Sequence, residues 1–175
     1  MMQNHETGLW EESDGRKFIR NEFNPDAPVF IDVTDDVWRF SLGGLARKLD
    51  WQQEGLTNAV IRPLQVLALE HLRTKSASWA QHVHRMLHGL AKAASSLGIE
   101  LSGGLGALSI KEWAAMWVLL SNEARTMLRI FYREMAQRSI AGASPAIALE
   151  MDEWIAWPQP AGMQDVLTWN AETGA

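Results

Sequence analysis

The chain has 175 residues, 47% of them hydrophobic and 21% charged. That is enough apolar content for one folded domain with a tail, and it is not the composition of a disordered protein. The absence of cysteine excludes a disulfide framework, a thiolate zinc site, an iron–sulfur cluster and a cysteine nucleophile. No apolar run approaches the roughly 18–20 residues of a membrane helix. The start, Met1 to Trp10, is polar and acidic rather than signal-like. The expectation is therefore a soluble cytoplasmic protein with no membrane partner.

Charge is distributed unevenly. Residues 1–59 hold 6 Lys/Arg and 11 Asp/Glu, residues 60–140 hold 10 and 5, and residues 141–175 hold none and 5. A basic middle between two acidic flanks points to a polyanionic partner for the middle, or simply to surface helices concentrated there. The nine Trp residues, spread from Trp10 to Trp169, fit packing anchors better than a binding cage.

In chain order, residues 1–28 are polar, carry Gly8, Gly15, Pro25 and Pro28, and have no sustained period. They read as a loosely ordered segment. Val29 to Phe40 is rich in β-branched and aromatic residues around Thr34-Asp35-Asp36, which predicts two short strands about a turn, ended by Gly43-Gly44. From residue 57 the period becomes helical. Val60 to Lys75 places Leu64, Leu67, Ala68 and Leu72 on one face, with Pro63 in its first turn. Ser78 and Gln81 fit a capping box that opens a helix to Leu97, stopped by Gly98. Val83, Met86, Leu87, Leu90, Ala94 and Leu97 form its apolar stripe, and Gln81, Arg85, His88, Lys92 and Ser96 lie opposite.

Ser102 to Gly106 reads as a flexible loop. Ser109 and Glu112 form a second capping box, opening a helix to about Leu120 that carries Trp113, Met116 and Trp117. Ser121-Asn122 breaks the chain before a helix to about Ser139 with the stripe Met127, Leu128, Ile130, Phe131 and Met135. Arg125, Arg129 and Arg133, spaced i, i+4, i+8, make a ladder on another face. Ser144-Pro145 opens a short helix to about Trp154, which Trp157-Pro-Gln-Pro160 ends. Met163 to Ala175 reads as an extended linker.

Catalytic constellations are absent. There is no Walker motif, Gly104-Leu-Gly106 lacks a surrounding βαβ unit, and Gly142-Ala-Ser144 is followed by Pro145 where a nucleophile elbow requires otherwise. His84 and His88 have zincin spacing, but Arg85 stands where that motif places Glu, and no third ligand is evident. Glu150, Asp152 and Glu153 could form a carboxylate pair, or be solvated charges. No metal or cofactor is expected. The two basic helix faces offer different chemistry. Arg and Lys neutralise phosphates, and Arg and Gln also contact base edges. Arg85, Lys92, Arg125, Arg129 and Arg133 are the primary candidates for DNA contact, with Gln81, His82, His88, Lys111 and Thr126 secondary. Spacing alone does not separate such faces from ordinary solvated ones.

As an ordered string, residues 31–175 resemble the N-terminal part of tyrosine recombinases of the phage-integrase type. The resemblance is carried by Asp35-Asp36-Val37-Trp38-Arg39-Phe40 followed by Leu49-Asp50-Trp51, by Pro63 to His71, and by the helix from Trp79. It continues through Leu108-Ser109-Ile110-Lys111-Glu112-Trp113 and Arg129 to Met135. Gly142-Ala-Ser-Pro145 and Asp165 to Gly174 look like the connector to a catalytic domain. The resemblance implies a mainly α fold: a four-helix SAM-like core-binding bundle over residues 57–141, after an acidic segment with short strands (1–56) and before a short helix and linker (142–175). It also implies that the second and fourth helices grip double-stranded DNA for integration or recombination, with assembly of several protomers on DNA as a further option. Such a protein would associate with the nucleoid. The family's catalytic Arg, His-x-x-Arg and late Tyr have no counterparts here: His82-Val-His-Arg85 lies too early, and the single Tyr, Tyr132, sits inside a helix. The chain is thus expected not to be an enzyme by itself. The alternative is a helical protein-interaction module with an incidental basic face.

Overall fold

The computed structural model describes residues 1–42 and 45–156. The expectations for Gly43-Gly44, for the stop at residues 157–160 and for the linker from Met163 lie outside the described residues. The N-terminal part is a six-stranded antiparallel meander: β1 Met2–Gln3, β2 Trp10–Glu11, β3 Lys17–Asn21, β4 Val29–Asp32, β5 Val37–Leu42 and β6 Leu45–Asp50, paired in that order. Five helices follow: α1 Asn58–His71, α2 Ala77–Leu97, α3 Ile110–Leu119, α4 Asn122–Gln137 and α5 Pro145–Ala156.

This architecture overturns the expected mainly α SAM-like bundle with a small β element. The protein is α/β, with the sheet packed against the helices. The expected helices are present, but the sheet is far larger than the sequence suggested. Residues 1–28 are not loose: they supply three of the six strands. Two of these are only two residues long, too short for a period of two to register. They are recognised only through their pairing, Met2 with Glu11 and Trp10 with Phe18.

Alternation fixes which face of the sheet is buried. Ile19, Ile31, Trp38, Phe40 and Leu49 point inward and share one hydrophobic core with the helices, while Arg20, Phe30 and Arg39 are exposed. Three polar ties hold sheet to helices. Asn21 is buried, and its Nδ2 donates to the Leu72 and Lys75 carbonyls, which lie beyond the C-terminus of α1. Asp36 in the β4–β5 turn accepts from Arg62 and Gln65 of α1 and from Gln52. These donors, Gln65 first, hold its carboxyl below the usual range. Asp50 at the end of β6 donates its backbone N–H to His84 Nδ1 of α2 at 3.3 Å.

The helical stripes pack as the periodicity implies: Leu64, Leu67 and Ala68 of α1, Val83, Met86, Leu87, Leu90 and Ala94 of α2, and Met127, Leu128, Phe131 and Met135 of α4 are buried. Leu97, 42% exposed in the last turn of α2, and Ile130 of α4, half-buried, are the exceptions. Helix α2 begins after Ser76, so no capping box forms at Ser78. Gly98 ends it in the left-handed conformation, φ 64°. The Ser109–Glu112 box is present in full. Pro63 lies in the interior of α1 rather than in its first turn.

The segment read as a flexible loop contains a 3₁₀ turn, Leu105–Ala107, with Leu105 buried. Gly106 passes so close to the α4–α5 connection that a Cβ there would lie 1.9 Å from the Ala141 carbonyl oxygen.

Candidate nucleic-acid interface

The two helix faces expected to hold DNA fare differently. On α4 the arginine ladder does not form an exposed face. Arg125 is 2% exposed; its Nε donates to the Trp117 carbonyl at 2.8 Å, and its other nitrogens reach Val118 O and Asn122 Oδ1. It ties the C-terminal carbonyls of α3, of which Trp117 O also accepts the Leu120 N–H at 3.2 Å, to the start of α4. Arg129 is partly buried and pairs with Asp152 of α5 at 3.0 Å. Arg133 is half-buried. Thr126 is exposed, but its hydroxyl donates to the Asn122 carbonyl. The i, i+4, i+8 spacing put three arginines on one side of α4, and the packing of α3 and α5 turned two of them inward.

On α2 the face survives in part. Arg85, His88 and Lys92 are exposed; Gln81 and His82 are half-buried. Glu123, near the N-terminus of α4, accepts from both His82 and Arg85, so it offsets this end of the face. Both partners lower the Glu123 carboxyl pKa against the desolvation that raises it. Lys111, at the start of α3, is exposed. Asp152, considered for acid/base work, is the counter-ion of Arg129. No group of three or more metal-ligating side chains occurs among the described residues.

What the sequence reading missed lies on the sheet. Trp10 faces Phe18, Phe18 faces Asp32, Asp32 faces Arg39, and Arg39 faces Lys48. This continuous cross-strand row runs over β2 to β6 on the side away from the core. Arg47 and Lys48 of β6 are exposed, and β6 packs directly on α2. The basic end of the row therefore lies on the strand that packs against α2, on the face turned away from the core. His84 lies at that β6–α2 junction. Burial lowers its pKa first, and the positive charges of Lys48, His88 and Arg85 lower it further against the opposing pull of Asp50. Arg39 and Lys48 on the sheet and Arg85, His88 and Lys92 on α2 are thus exposed on elements that pack on one another, and together make up a basic belt.

A signal for it existed in the sequence. Of the six basic residues in 1–59, five lie on strands, whereas eight of the eleven acidic ones lie in connections. The net −5 of that segment therefore hides strands with more basic than acidic residues, which a sum over the segment cannot show.

Tyr132 is fully buried, and its hydroxyl accepts the Ser144 N–H at 2.9 Å. Burial raises its pKa. It braces the start of α5 and is not presented as a nucleophile. No helix among the described residues is long and apolar enough to cross a membrane. Comparison with protein-family models, curated proteins and solved structures returns no match.

Proposed function

We propose that this chain is a duplex-DNA-binding module, of the kind tyrosine recombinases carry ahead of their catalytic domain, and that it is not catalytic alone. The observation that carries the reading is the belt. Exposed cations stand on β5, β6 and α2, elements that pack on one another, and Lys48, His88 and Arg85 lie near enough to the half-buried His84 to act on it against Asp50. Arg85 and Lys92 are separated by seven residues, about 10 Å along a helix rising 1.5 Å per residue, comparable with the width of a DNA groove. The contact residues differ from those the resemblance implied. Lys48, Arg85, His88 and Lys92 carry the grip, Arg39 and Lys111 flank it, and Arg125 and Arg129 serve the fold.

Fluorescence anisotropy of the full chain with a mixed-sequence duplex, at low and then moderate salt, tests this. Binding should fall steeply with salt, and Lys48→Ala with Lys92→Ala should reduce the log–log slope by about 2. No binding at low salt would refute the reading and favour the helical protein-interaction module.

A further inference from the structure

The sheet carries a second feature that the duplex reading does not use. β3 and β4 pair over four positions and β5 and β6 over six, but β4 and β5 pair only through Asp32 and Arg39. Beyond that single pair the two strands part, and an open groove of about 730 Å³ lies between them. Its walls include Phe18, Phe30, Asp32, Arg39, Arg47 and Lys48. On the outer face Arg39 and Lys48 stand beside the single carboxylate Asp32, while Arg47 lines the groove from the Phe40 side, so the groove favours an anionic occupant. Phe30 is 44% exposed on the outer face of the sheet. Trp10 meets it edge-on with ring centroids 5.6 Å apart, and the Arg16 guanidinium lies over the Phe18 ring at 5.5 Å. The face therefore presents aromatic rings and a guanidinium plane beside a row of cations.

Flat aromatic surfaces with adjacent cations match the two parts of an unpaired nucleotide: a base that stacks and a phosphate that pairs. Duplex DNA hides its base faces within the stack and cannot use the rings. An acidic peptide would use the cations but would gain little from the planar rings.

We propose that the splayed β4–β5 groove and the aromatic row beside it bind a single-stranded segment of nucleic acid, bases against Phe30 and the Arg16 guanidinium that covers Phe18, and phosphates on Arg39 and Lys48. The site shares Arg39 and Lys48 with the duplex belt but does not rest on it, because the rings lie off the α2 face. A protein holding both would grip a duplex beside a melted or unpaired stretch.

The test uses the full chain, a labelled twelve-residue oligothymidylate and a labelled mixed-sequence duplex, each titrated at low salt. Phe30→Ala changes an exposed side chain and should weaken oligothymidylate binding by roughly fivefold to a hundredfold, the range seen when a stacking aromatic is removed, with duplex affinity unchanged. Lys92→Ala should do the reverse. As a measurement that needs no variant, amide resonances perturbed by oligothymidylate should cluster on β3 to β6. Duplex binding without oligothymidylate binding overturns the groove and leaves the belt intact. Oligothymidylate binding that is indifferent to Phe30→Ala and perturbs resonances elsewhere also overturns it. Oligothymidylate binding through these residues, with no duplex binding, supports the groove and refutes the belt.

Discussion

Arg125 provides the sharpest test of how the helical faces are divided between fold and function. Replacing it with Met keeps most of the apolar stem but removes every donor. The Trp117 carbonyl then loses the 2.8 Å bond from Nε and the Val118 carbonyl its more distant partner. With Arg125 2% exposed, water does not readily replace them. A hydrogen bond from a charged group contributes about 1.5–3 kcal/mol, and removing a desolvated cation returns part of this. A net loss of about 2 kcal/mol follows. With a urea m-value of about 2 kcal/mol/M, the unfolding midpoint followed by circular dichroism should fall by about 1 M. The folded variant should bind duplex DNA with the same salt slope as the parent. An unchanged midpoint together with a slope reduced by about 1 would show that Arg125 faces DNA, and would refute its assignment to the α3–α4 junction.

Three further outcomes are expected. Glu123→Gln frees His82 and Arg85 from their shared counter-ion; duplex affinity at low salt should rise, and the stability lost with a first-turn carboxylate should be only about 0.5 kcal/mol, so weaker DNA binding would contradict the belt. Gly106→Ala forces a methyl onto the Ala141 carbonyl, backbone against backbone, and should cost about 3 kcal/mol in urea unfolding; a cost near zero would show that the α4–α5 connection yields freely. His84 has a folded pKa below its unfolded value of about 6.5. As pH falls below that value, the unfolded chain takes up a proton that the folded one resists, so stability declines with acidification. The gap between the parent and His84→Gln in unfolding midpoint should shift in favour of the variant between pH 7.5 and 5.5; a gap independent of pH would contradict the burial assigned to this ring.

The helical half was legible because its signals are local. Apolar residues at 3.6-residue spacing located α1 to α4 and most of their buried stripes. Ser109 with Glu112, Gly98, and Ser144 before Pro145 marked ends that depend on one or two residues. The integrase-like order of these helices came from the same strings, and with it the expectation of a DNA partner.

The sheet was not legible to the same degree, because a strand is defined by a partner. Met2–Gln3 and Trp10–Glu11 carry no period of their own and exist through their ladder. The groove between β4 and β5 is a failure of pairing, which no single strand encodes. Charge placement divides in the same way. The sequence by itself determined which residues carry charge and which helical face they share. Whether Arg125 meets solvent or the end of α3, whether Arg85 is free or offset by Glu123, and whether Lys48 comes near His84 were decided by the tertiary structure. Each of those outcomes depends on contacts between segments far apart in the chain, and the potential at a surface is a sum over whatever the fold brings together.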